Sequence, residues 1–98
     1  MDFKVLITDS AVADLREIVA FVAHDDPVAA LRLGEKLIAR ALRLAANPER
    51  FALHDTRRGI RKMPLPPYLV FYTCDLAAGL VHILHFWHGA RRQPEFPG

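Results

Sequence analysis

The sequence predicts an α+β domain, a helical hairpin packed on a small, mostly antiparallel sheet in the order β-α-α-β-β-β. Three observations predict it. The first half holds two consecutive segments whose apolar residues repeat at helical spacing. The second half breaks into short runs rich in β-branched and aromatic residues. Turn-forming residues, above all proline, glycine and aspartate, punctuate the boundaries between them. A chain of 98 residues holds one such core, so a single domain over 1–98 is expected and any site must lie on its surface.

The opening FKVLI, 3–7, is short, β-branched and aromatic, and reads as a strand. Thr8, Asp9 or Ser10 can cap the helix that follows, over about 10–23, where Val12, Leu15, Ile18, Val19 and Val22 recur on one side and Asp14, Arg16 and Glu17 lie on the other. His24, Asp25, Asp26 and Pro27 break it, and Asp26-Pro27 has the form of an N-cap with proline in the first turn. The second helix carries an apolar stripe of Ala30, Leu33, Leu37, Ile38, Ala41 and Leu44 until Asn47-Pro48 stops it. Residues 49–58 show no period and are expected to be a loop or one helical turn. Strands follow at 60–63, 68–74 and 80–87, joined by a proline-rich turn and a turn over 76–79, as a three-stranded meander.

Composition excludes several classes. With 52% hydrophobic and 24% charged residues the chain is foldable rather than disordered. Cys74 is the only cysteine, which rules out an internal disulfide framework. The amino terminus lacks a basic, then apolar, leader pattern, and no apolar run approaches the roughly 18 residues of a membrane span, so a cytoplasmic protein that does not cross a bilayer is expected. A net charge of +2 is too mild to announce a nucleic-acid binder. Its distribution is lopsided: acids crowd the first quarter, whereas Arg57, Arg58, Arg61 and Lys62, then Arg91 and Arg92, are expected to converge on one exposed rim.

Strand alternation would put His82 and His88 on one side and His85 on the other, with roughly 20 Å between the matching pair, too far to share a metal ion. No metal and no cofactor is expected. His82 and His85 read as partly buried strand residues, and Tyr68 and Tyr72, on one face beside Val70, as packing residues. His88 differs, because the strand ends there, with Gly89, Arg91 and Arg92 behind it. Read without other help, the basic residues either solubilise an edge or surround a phosphate.

The helix DLREIVAFVA, the junction DDPVAA, the helix end LAANPERF, the stretch GIRKMPLPPYLVFY and the last strand VHILHFWHGARR, in this order, resemble the RelE/ParE superfamily of bacterial type II toxins, nearest the ParE or plasmid-stabilisation branch. The resemblance implies that fold and two alternative activities. RelE-branch toxins cut messenger RNA on the ribosome with basic residues and a carboxy-terminal tyrosine or histidine. Here the basic residue expected after the strand tyrosine is Leu69, and Phe96, not tyrosine, follows Arg92. Arg61, Lys62, His88 and Arg91 would form a reduced nuclease set. ParE-branch toxins instead bind and poison DNA gyrase, and this is the favoured expectation, with Arg57, Arg58, Arg61, Lys62, His88, Arg91 and Arg92 as target contacts. An inactive member acting only as a binding module is the third possibility. The resemblance also implies a cognate, ParD-like antitoxin, for which Leu31, Ile38 and Leu42 are the candidate anchors.

Overall fold

The computed structural model describes residues 2–92. The chain runs through β1 (Lys4–Ile7), α1 (Asp9–Ala23), α2 (Pro27–Leu42), two 3-10 turns (Arg43–Ala45 and Pro48–Arg50), β2 (Leu53–Asp55), β3 (Ile60–Leu65), β4 (Tyr68–Asp75) and β5 (Leu80–His88). One sheet has the order β1-β5-β4-β3-β2, antiparallel except where β1 lies parallel to β5. The two helices pack on one face of this mixed sheet, as expected. The additional strand is β2, three residues long and too short to show a period, which joins β3 in the stretch expected to be a loop.

The caps explain where the helices start. Thr8 is the N-cap of α1: its hydroxyl accepts from Ala11 N at 3.3 Å and donates to the Ile83 carbonyl at 2.7 Å, so one side chain starts the helix and ties it to β5. Asp26 caps α2 by accepting from Ala29 N at 3.0 Å, and Pro27 follows in the first turn. Between helices and sheet lies the core, with Leu37 and Ala41 of α2 and Leu44 of the first 3-10 turn against Met63, Val70, Tyr72, Val81, Ile83 and Phe86. Each fully buried side chain of this size stabilises by roughly 1.5–3 kcal/mol.

Two local features depart from simple patterning. Phe71 pairs with His85 but Tyr72 with Ile83, so Leu84 is an extra residue that shifts the alternation of β5. His82 and His85 therefore share a face, opposite Thr73 and Phe71, and His88 lies on the helix-bearing face opposite Tyr68. The expected pairing of His82 with His88 is corrected by this bulge. The second feature is Asp14, expected among the exposed polar residues of α1. β1 covers β5 only from Leu80 to Ile83, and Asp14 occupies the edge beyond it, its Oδ2 accepting from Phe86 N at 3.2 Å and His85 Nδ1 at 2.7 Å. No described helix is long and apolar enough to cross a membrane.

Candidate functional site

The structure divides the predicted basic residues between the two ends of the sheet. β3 and β5 both run antiparallel to β4, so the residues that precede β3 and those that follow β5 must lie at opposite ends. Arg61 is opposite Tyr72 and His88 opposite Tyr68, four positions apart along β4, or roughly 13 Å. The single rim expected from sequence does not form.

At the β2–β3 end, Arg57 is exposed, and Arg58 is held to Asp55 through its backbone N–H at 3.2 Å and its Nε at 3.6 Å. Arg61 turns inward. Its Nη1 donates to the Glu49 carbonyl at 3.0 Å and the Phe51 carbonyl at 2.6 Å, and its Nη2 lies 3.7 Å from the Glu49 carboxylate. It closes the chain around the second 3-10 turn, where the buried Tyr72 hydroxyl also donates to the Pro48 carbonyl. Burial pushes the Tyr72 phenol up to about 12, against the opposing pull of Arg61. Lys62 faces away from Arg61, paired with Phe71 on the other side of the sheet. Cys74 is partly buried and its thiol is pushed up by that burial, first of all, and by Glu49, which makes it a poor nucleophile.

At the other end, a cleft of about 320 Å³ opens between α1 and the residues after β5, lined by Glu17, Ile18, Phe21, Tyr68, His88 and Arg91. Its wall is a short strap fastened at several points. Gly89 N donates to the Pro67 carbonyl at 2.7 Å, and a Cβ on residue 89 would come within 2.9 Å of that oxygen, so glycine is needed for the approach. Ala90 N donates to His88 Nδ1 at 3.1 Å, Arg91 N to the His88 carbonyl at 3.0 Å, and Trp87 Nε1 to the Arg92 carbonyl at 3.1 Å. Arg91 lies over the Trp87 ring, 4.4 Å from its centroid. Because the Nδ1 lone pair of His88 is taken by a backbone N–H, the ring proton sits on Nε2 and that nitrogen is a donor. Neither nitrogen then offers the open lone pair of a general base.

A second concavity, about 400 Å³, runs between α1 and α2 and is lined by Leu15, Arg16, Val19, Ala20, Ala30, Leu31, Gly34, Glu35 and Ile38. The helices are close here: a Cβ on Gly34 would lie 3.2 Å from Val19 Cγ2. Leu31 is 63% exposed, and Ile38 and Leu42 continue a partly bare apolar ridge along α2.

Sequence reasoning missed Glu17, Ile18, Phe21 and Tyr68 as partners of His88 and Arg91. A signal existed in Phe21, a large aromatic off the apolar stripe of α1, which is 82% exposed. Phe96 lies outside the described residues.

With both concavities defined, the chain can be set beside known proteins. Residues 5–93 match the model of the ParE toxin of the type II toxin–antitoxin system parDE. The chain belongs to the ParE toxin family. It is 37% identical over 89 residues to toxin RelE2 of Caulobacter vibrioides, covering 90% of this chain and 97% of that one. Its fold is similar to that of a chain in the toxin–antitoxin complex RelBE2 of Mycobacterium tuberculosis, with a TM-score of 0.69, 22% identity and coverage of 90% and 99% of the two chains. It is also similar to a chain of the chromosomal ParDE system of P. aeruginosa, with a TM-score of 0.73, 19% identity and coverage of 88% and 95%. The protein is thus a type II toxin of the ParE/RelE superfamily.

Proposed function

We propose that this toxin acts by binding rather than by cutting RNA, that DNA gyrase is its target, and that the cleft bearing His88 and Arg91 makes the contact. The observation that carries this reading is the commitment of Arg61. A ribonuclease of this fold needs cations facing the scissile phosphate. Arg61 instead spends its donors on the Glu49 and Phe51 carbonyls and sits beside the Glu49 carboxylate. Leu69 is apolar, Tyr72 is buried and hard to ionise, and the Nδ1 lone pair of His88 is engaged by the Ala90 N–H. Arg57, Arg58 and Lys62 remain supporting contacts in this reading, away from the cleft, and Arg92 one in the strap beside it.

The cognate antitoxin, in the same reading, lays an amphipathic segment into the groove between α1 and α2, with Leu31 and Ile38 as anchors and Leu42 extending the ridge. Two similar folds come from systems described as toxin–antitoxin pairs, which supports such a partner. The deciding experiment measures supercoiling by purified gyrase and, beside it, cleavage of messenger RNA on programmed ribosomes. Gyrase inhibition that is relieved by the antitoxin, with intact messenger RNA, is expected. Cleaved messenger RNA with unaffected gyrase would overturn the proposal in favour of the nuclease.

A further inference from the structure

We infer that the cleft between α1 and the strap after β5 is a receptor for one acidic side chain of a protein partner, seated beside an apolar neighbour. The inference rests on the binding reading above and adds the chemistry of the contact.

Arg91 supplies the first reason. Its guanidinium carbon lies over the Trp87 ring, 4.4 Å from the centroid. A cation–π contact of this kind uses none of the N–H donors, which stay available to grip a carboxylate with two parallel bonds. Among the described residues no carboxylate lies within ion-pair distance of Arg91, in contrast to Arg58 and Arg61. His88 adds a neutral donor at Nε2, fixed in that tautomer by the Ala90 N–H. Tyr68, set edge to face with His88 at 5.4 Å between centroids, lines the same cleft and brings a hydroxyl. Together these groups suit an oxyanion.

Glu17 decides which oxyanion. It lies on the α1 side of the same cleft, so a phosphate of higher charge, or a nucleic-acid backbone with its run of phosphates, would meet like charge. A single carboxylate suffers least, and a backbone N–H of the same peptide could donate to Glu17. Ile18 and Phe21 line the cleft with apolar surface, and Phe21, the most exposed of the large apolar side chains described, is suited to cover an aliphatic or aromatic neighbour of the acid.

The test pans a random peptide display library against the intact toxin, and the enriched peptide is then synthesised with its acid intact and with the amide in its place. Enrichment of an aspartate or glutamate next to an apolar residue is expected. The acidic peptide should bind roughly tenfold more tightly than its amide, and Arg91→Lys, which keeps the charge but loses the fork, should remove that difference. Glu17→Gln should leave binding unchanged or tighten it. Enrichment without acids, equal binding by Arg91→Lys, or tighter Arg91-dependent binding of a short single-stranded RNA would each overturn the inference. Gyrase binding measured with the same variants separates it from the functional reading. If gyrase is bound but insensitive to Arg91→Lys, the acid receptor fails and the target stands; if the peptide behaves as expected but gyrase is not bound, the reverse holds.

Discussion

Arg61 and Arg91 are the same chemical group at two ends of one sheet, and their surroundings give them different work. Arg61 meets two backbone carbonyls that a 3-10 turn has left without helical partners, and a carboxylate beside them. Arg91 meets the face of a tryptophan and no carboxylate among the described residues. Side-chain exposure follows this division: Arg61 retains 19%, whereas Arg91 is classed with the exposed residues. The difference teaches that an arginine's role is set by the acceptors the backbone leaves around it, not by its charge.

That comparison breaks most directly through stability. Arg61→Ala should cost roughly 2 kcal/mol, because two carbonyls of the Pro48–Phe51 segment lose a charged donor, and Arg91→Ala should change stability by less than roughly 0.5 kcal/mol. Urea unfolding of both variants measures this. Equal losses would mean that the two ends are not distinct in the way described.

The two ends also differ in how legible they were. The order of the hairpin and of the three longer strands could be read because each is several residues long, the helices at helical spacing and the strands as β-branched and aromatic runs between turn residues. The β2 strand could not, since three residues at a bulge carry no period. The commitment of Arg61 depends on carbonyls at Glu49 and Phe51, ten or more residues away in a segment without pattern, and no local rule brings them together. At the other end, His88 and Arg91 were singled out because a strand visibly stops there, but Glu17 and Phe21 come from a helix about 70 residues earlier, joined by tertiary packing alone. The bulge at Leu84 reversed the histidine faces for a similar reason: alternation assumes an unbroken register.

Alkaline titration sharpens the view of the Arg61 end. The buried Tyr72 phenol is raised from 10.0 to about 12, so the folded state holds its proton more firmly than the unfolded chain does. Stability from this group is fully present below pH 10 and is lost as pH rises towards 12, by something on the order of 2–3 kcal/mol. Tyr72→Phe should be less stable than the parent near neutrality, having lost the bond to the Pro48 carbonyl, yet should lack this part of the alkaline decline. Parallel slopes for the two proteins in urea unfolding between pH 9 and 11.5 would show that Tyr72 is not held as described.

The smallest effect on stability belongs to the strap, and it is the most specific. Gly89→Ala places a Cβ within 2.9 Å of the Pro67 carbonyl, so the strap must shift by a few tenths of an ångström and stretch the bond from Gly89 N. The clash is with backbone, but residues 89–92 are exposed and can move aside, so the cost should be on the order of 1 kcal/mol. The same shift should lift Arg91 from Trp87, the only tryptophan in the chain, whose fluorescence therefore reports on the strap without a label. Gly89→Ala is expected to move the emission in the same direction as Arg91→Ala, with a smaller loss of stability than Arg61→Ala. An unchanged spectrum in both variants would mean that the contact between Arg91 and Trp87 is not a persistent feature, and the placement of the guanidinium at this end would lose its physical basis.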